Sequence, residues 1–145
     1  MLKDLVIRNR SFRGYDESRK ISEEELLELV DLTRYTASSA NTQPLKYHIA
    51  YEKEEVDAIQ ALTKWAAALP QLSLPYPGQC PTGFIVICLD KSIAPNETAF
   101  LRDIGIAAQT ILLAAAEKDL GGCMIGNFNR TALKELLKLP ETVEP

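Results

Sequence analysis

The sequence predicts an α+β or α/β chain in which helices dominate a small sheet. Three observations carry this. Apolar residues recur at helical spacing behind recognisable caps, two short runs read as strands instead, and the two kinds of segment interleave. At 145 residues the chain is expected to form one domain, residues 1–145.

Taken in order, Leu2, Leu5, Val6 and Asn9 mark a short helix ending near Arg10. ISEEELLELVDLTRY is a stronger one. Ser22 is its N-cap and Glu25, three residues on, completes a capping box, with Ile21 placed to staple against Leu26. Leu26, Leu29, Val30 and Thr33 form its apolar stripe. The polar turn SSANTQP follows. Tyr47, Ile49 and Tyr51 then alternate, which makes KYHIAY a half-buried strand. EEVDAIQALTKWAAAL reads as helix throughout, and the proline-rich PQLSLPYPGQCP as loop. TGFIVICLD is a continuous apolar run of strand length, expected to be buried on both faces. NETAFLRDIGIAAQTILLAAAEKDL is the longest helix. It is apolar almost all round, hence central, and Gly121 and Gly122 should end it. CMIGNF reads as a short strand or extended segment, and RTALKELLKL as a last helix stopped by Pro140. Three strands make a thin sheet, so a partner subunit or further sequence beyond Pro145 is expected to complete it.

Composition narrows the function classes. The chain is 46% apolar and 25% charged, which suits a globular core. A net charge of −4 disfavours nucleic acid and anionic membranes as partners. No run of about 18 apolar residues is visible, so no membrane span is expected. The N-terminus has no apolar leader, and Cys80, Cys88 and Cys123 read as free thiols, so the expected setting is a reducing cytoplasm. His48 is the one histidine, so a zinc site or a histidine-based triad is not expected.

Four groups of residues are candidates for chemistry. RNRSFRGYD collects Arg8, Arg10 and Arg13 with Ser11. Guanidinium forks and a hydroxyl suit a phosphate, although arginines near a helix C-terminus are also favoured there by the helix dipole. SSANTQP offers Ser39, Asn41 and Gln43, whose hydroxyl and carboxamides can read an imide-like ring edge or simply form a polar turn. LGGCMIGNF places backbone amides where glycine admits a ligand, or merely caps a helix; Cys123 within it has no nearby histidine base and reads as a packed thiol. Most of Phe12, Tyr15, Tyr35, Tyr47 and Phe128 are expected in the core, and one or two could wall a ring-binding slot.

In order and spacing, RNRSFRGYD, ASSANTQPLKYHIAY, DIGIAAQTILLAAAEKDLGGCMIGNF and LKELLKLPETVEP together resemble the nitroreductase family of flavin enzymes over nearly the whole chain. The resemblance implies a nitroreductase-like α+β fold, a central mainly antiparallel sheet flanked by helices, in an intertwined homodimer. It implies a flavoprotein oxidoreductase binding FMN non-covalently, with NADH or NADPH as electron donor. Such an enzyme reduces nitroaromatics, quinones or related small-molecule acceptors by ping-pong hydride transfer. Carried across by position, Arg10 and Ser11 would reach the FMN phosphate and ribityl chain. Arg13 would lie nearer the pyrimidine side, where its charge would stabilise the reduced ring. Asn41, with Ser39 and Gln43, would bond the ring edge. Ile125 and Gly126 would offer backbone amides near N5 and O4. No side chain need be a catalytic acid, base or nucleophile, because the chemistry is the flavin's.

The chain departs from the family pattern at Asn9, often arginine, at Leu45, often tryptophan, in the short Pro70–Pro81 loop, and in ending at Pro145. The alternatives are a relative that dehalogenates or fragments its substrate, a non-catalytic flavin-binding or structural dimeric protein of the same fold, and a ligand-free domain. A homodimer is also expected on physical grounds. A helix from Glu97 to Lys118 would be about 33 Å long, with more apolar surface than three strands cover.

Overall fold

The computed structural model describes residues 1–145. Its helices are α1 (Leu2–Arg8), α2 (Glu23–Asp31), α3 (Lys53–Ala61), α4 (Leu101–Glu117) and α5 (Arg130–Leu136). The strands are β1 (Leu45–Ala50), β2 (Phe84–Asp90) and β3 (Val143–Glu144), and 3-10 turns occupy Leu32–Tyr35, Ser39–Asn41 and Glu97–Phe100. The strands lie in the order β1-β2-β3, antiparallel throughout, with Tyr47 opposite Ile87 and Asp90 opposite Val143.

The apolar run of β2 follows from its place in the middle of this sheet. Successive side chains point to opposite faces, and each face meets helices. Phe84, Val86 and Cys88 pack with Val56 and Ile59 of α3, Leu133 of α5 and Val143. Ile85 and Ile87, joined by Tyr47, pack with Leu29 of α2 and with Ile111, Ala114 and Ala115 of α4. Burial pushes the Cys88 thiol up to about 11, so it behaves as a small core hydrophobe.

The α2 capping box forms as the sequence indicates. Ser22 Oγ accepts from Glu25 N at 3.2 Å, and Glu25 Oε2 accepts from Ser22 N at 2.9 Å. Arg19 grips the same carboxylate through Nη2–Oε1 at 2.5 Å. The Arg19 bond, followed by the Ser22 amide, lowers the Glu25 pKa from 4.5 to about 2. A carboxylate lowered in the folded state stabilises fully above its ordinary value and loses that contribution as pH falls through the folded value. Glu25→Gln should therefore flatten the loss of stability between about pH 4.5 and pH 2 in urea titrations; an unchanged acid limb would mean that the box carries no proton linkage.

Five elements differ from the sequence expectation. The third strand is Val143–Glu144, while residues 123–128 form no strand; one isolated bridge flanks them at Ser11–Gly122 and another ends them at Thr63–Phe128. Helix α3 stops at Ala61 instead of running on to Leu69. Thr63 Oγ1 bonds back to Gln60 O at 2.7 Å, Trp65 Nε1 donates to Thr63 Oγ1 at 2.8 Å, and Lys64 N reaches Asn127 O at 2.8 Å, so the chain leaves the helix to pair with the extended segment. Helix α1 ends at Arg8 rather than Arg10, because residues 11 and 12 are drawn into pairing with Gly122. Helix α4 ends before the glycines: Asp119, at φ 56°, takes the left-handed position that Gly121 or Gly122 was expected to fill. Finally, Glu97–Glu117 is long and apolar enough to match a membrane-crossing helix by length and composition, with a mean hydropathy of 1.4. In this fold Ile111, Ala114 and Ala115 on it pack against the sheet, which accounts for the apolar character of that side.

Candidate functional site

The predicted site residues fall into two groups at opposite ends of α4. The first is assembled around the helix's C-terminus. Arg8 Nη2 donates to Ala116 O at 2.6 Å and Nη1 to Asp119 Oδ1 at 2.9 Å, so this arginine satisfies terminal carbonyl and carboxylate groups of α4. That anchors the following strap. Ser11 pairs parallel with Gly122, and Phe12 N donates to Gly122 O at 3.0 Å. The Phe12 ring lies so close to Gly121 that a Cβ there would meet its Cδ2 at 2.8 Å, which is why glycine occupies this position.

On its other side the 121–128 segment is laced to the end of α3 by Lys64 N–Asn127 O at 2.8 Å and Asn129 N–Leu62 O at 2.9 Å. Tyr15 completes this end. Its hydroxyl donates to Phe12 O at 2.8 Å, its amide to Gln79 O at 3.1 Å, and its ring meets Trp65 edge-on at 6.1 Å. Burial, the largest cause, raises the Tyr15 phenol above its ordinary value, so it is neutral at pH 7. Arg10, Ser11 and Arg13 thus lie on the strap that pairs with Gly122, and Ile125 and Gly126 lie on the segment that follows Gly122. Neither Arg10 nor Arg13 has a carboxylate partner; Arg13 Nη1 makes one long contact, 3.4 Å, to Ser11 O. The amides of Ile125 and Gly126 donate to no acceptor in the chain, and space around Gly126 is open.

The second group is the SSANTQP loop, which sits at the N-terminal end of α4. Asp103, in the helix's first turn, is buried at 3% exposure and receives Ser38 Oγ at 2.6 Å, Ser39 N at 3.1 Å and Ser39 Oγ at 2.9 Å. Burial raises the Asp103 carboxyl, but these bonds prevail and hold it below the ordinary carboxylate value. The loop carries three left-handed residues, Ala40, Asn41 and Gln43, at φ 51°, 53° and 54°. Gln43 Nε2 donates to Asn41 Oδ1 at 2.8 Å. This leaves Asn41 Nδ2 free as a donor and Gln43 Oε1 free as an acceptor, on two linked carboxamides that are exposed and uncharged. Ser39, by contrast, uses both its amide and its hydroxyl on Asp103.

Asp103 opens the DIGIAAQ stretch that carries part of the resemblance, but the sequence assigned it no role. A lone acidic residue in the first turn of an apolar helix reads as a favourable helix-dipole partner, and only the fold shows what it holds.

Along α4, Asp103 and Ala116 are about 20 Å apart, at 1.5 Å per residue. The two groups therefore do not meet within one chain.

The fold has counterparts among known proteins. The model of the Nitroreductase family matches residues 7–144. An Archaeoglobus fulgidus protein, provisionally named NADH dehydrogenase/NAD(P)H nitroreductase, is 26% identical over 144 residues, covering 96% of this chain and 77% of its own. Among solved structures, a nitroreductase family protein of Clostridium difficile 630 superposes with a TM-score of 0.77 at 23% identity, over 100% of this chain and 78% of that one. The NADPH:FMN oxidoreductase of Vibrio harveyi, solved with NAD+, superposes with a TM-score of 0.74 at 23% identity, over 99% of this chain and 64% of that one. The family model and the names of these relatives point to an oxidoreductase. This chain belongs to the nitroreductase family.

Proposed function

We propose that the chain is an FMN-dependent oxidoreductase that uses NADH or NADPH to reduce nitroaromatics, quinones or related small acceptors, and that it works as a homodimer. The observation that carries this reading is the Asn41–Gln43 pair. A flat imide edge presents a carbonyl acceptor beside an N–H donor, and Asn41 Nδ2 beside Gln43 Oε1 is its uncharged complement. The rest of the donor set fits FMN equally. Arg10 and Ser11 suit a phosphate and a polyol, being exposed and without a carboxylate partner. Arg13 adds a fixed positive charge, and the amides of Ile125 and Gly126 are two further donors in open space. When bound, FMN supplies the hydride chemistry, drawing reducing equivalents from NAD(P)H in one half-reaction and releasing them to the acceptor in the other.

The chain's own part is to bind, orient and polarise. Because the two groups lie at opposite ends of α4, each site takes its arginines and amides from one protomer and its carboxamide loop from the other. The apolar surface for such a pairing is present. Helix α1 buries none of its residues and exposes Leu2, Val6 and Ile7, and α4 leaves Leu101, Gly105 and Ile106 uncovered along its outer side. The three unpaired cysteines suit a reducing, cytoplasmic setting.

The test is the visible spectrum of the purified protein after incubation with FMN and desalting, followed by NADH or NADPH with a quinone or nitroaromatic acceptor. A retained flavin spectrum that bleaches with the nucleotide and recovers with the acceptor is the expected result. Retained flavin that never bleaches would make the chain a flavin-binding protein without turnover. No retained flavin would sink the cofactor assignment.

A further inference from the structure

Asp103 is the one charged residue fully buried in this chain, and no lysine or arginine pairs with it. A carboxylate taken out of water without a cation is destabilising unless hydrogen bonds replace its hydration, and an apolar residue in its place often stabilises a fold more. All of the side-chain and amide donors it receives from outside its own helix come from Ser38 and Ser39. The contact also reaches further along the loop. Ser38 Oγ donates to Asp103 Oδ2 at 2.6 Å and accepts from Gln43 N at 2.9 Å, so one hydroxyl joins the buried carboxylate to the carboxamide pair. Ala40, Asn41 and Gln43 are meanwhile held in left-handed backbone, a conformation that non-glycine residues keep only where their surroundings impose it.

We propose that Asp103 is the positioning residue of the flavin site: through Ser38 and Ser39 it holds the loop so that Asn41 and Gln43 present their paired donor and acceptor to the imide edge of the ring. This rests on FMN being the ligand. Asp103 touches neither ring nor substrate. Its effect is on which ring edge the loop accepts.

The experiment compares dissociation constants for FMN and for N3-methyl-FMN, which lacks the imide N–H. Wild-type protein should prefer FMN by about tenfold or more, the worth of a buried hydrogen bond. Asp103→Asn should bring that ratio close to one. Arg10→Ala, which weakens the grip on the phosphate, should lower both affinities and keep the ratio. Ser38→Ala cuts the link to Gln43 while leaving the Ser39 bonds, and should act like Asp103→Asn even if that variant folds poorly; Ser38→Thr, which keeps the hydroxyl, should restore the preference. A purely structural role for Asp103 would weaken both ligands in parallel and leave the ratio intact, which overturns the proposal. Wild-type protein that binds both flavins equally overturns the ring-edge role of the loop while FMN binding stands. Wild-type protein that binds neither overturns the cofactor assignment itself.

Discussion

Arg10→Ala and Arg13→Ala proteins should fold normally and bind FMN about ten- to a hundredfold more weakly than the wild type, the range expected for one charge-assisted hydrogen bond. Neither side chain has an ion-pair partner in the chain, so its removal leaves no orphaned charge behind. Stability should accordingly stay within about 0.5 kcal/mol. The loss should shrink at high salt for Arg10, whose role is largely electrostatic attraction to phosphate. Arg8 provides the contrast. It caps α4 through Ala116 O and Asp119, so Arg8→Ala should loosen α1 and lower the melting temperature before it touches flavin affinity. Flavin-fluorescence titration beside thermal unfolding separates the two effects. Unchanged FMN affinity in both Arg10→Ala and Arg13→Ala would remove the basic strap from the site.

The second large effect concerns how the site is divided. At an FMN concentration that just fills the wild type, Arg10→Ala homodimers and Asn41→Ala homodimers should each stay largely unloaded. Mixed and allowed to exchange subunits at equal amounts, they should recover about a quarter of the wild-type sites, since random pairing makes about half of the dimers mixed and each of those holds one intact site of two. The recovery follows from the length of α4. Its two ends are pinned by Asp103 with Ser38 and Ser39, and by Arg8 with Ala116, so the carboxamide loop and the arginine strap of one chain are held toward opposite ends of the helix, as the proposed division of the site between protomers requires. If both halves of a site came from the same protomer, mixing would restore nothing. Co-expression with two affinity tags and a flavin count on the doubly tagged species gives the answer directly, and a monomer in light scattering would remove the premise.

Much of the fold was legible because its signals are local. The Ser22–Glu25 capping box and the unbroken apolar run of β2 each depend on residues within one turn or one strand and occur as read, and a strand forms at Tyr47 and Ile49. But that strand stops at Ala50, whose fully buried side chain lies on the face opposite Tyr47 and Ile49, so the expected half-buried alternation through Tyr51 does not hold. The errors share a cause. Residues 123–128 looked like a strand and Val143–Glu144 like a tail, yet only the second pairs with β2, because pairing depends on what lies alongside and not on the run itself. The segment after Ala61 has helical composition but is drawn out of the helix by Asn127 and Phe128, more than sixty residues away along the chain.

The site divided in the same way. Residue types and their order singled out Arg10, Ser11, Arg13, Asn41 and Gln43 as candidates and pointed to the family, which the family model over residues 7–144 shows. What sequence could not supply is distance. That Arg8 is spent on the end of α4, that Ser39 faces Asp103, that a carboxylate sixty-four residues away holds the loop, and that the arginine strap and the polar loop lie toward opposite ends of α4 are all consequences of long-range packing, which no local pattern encodes.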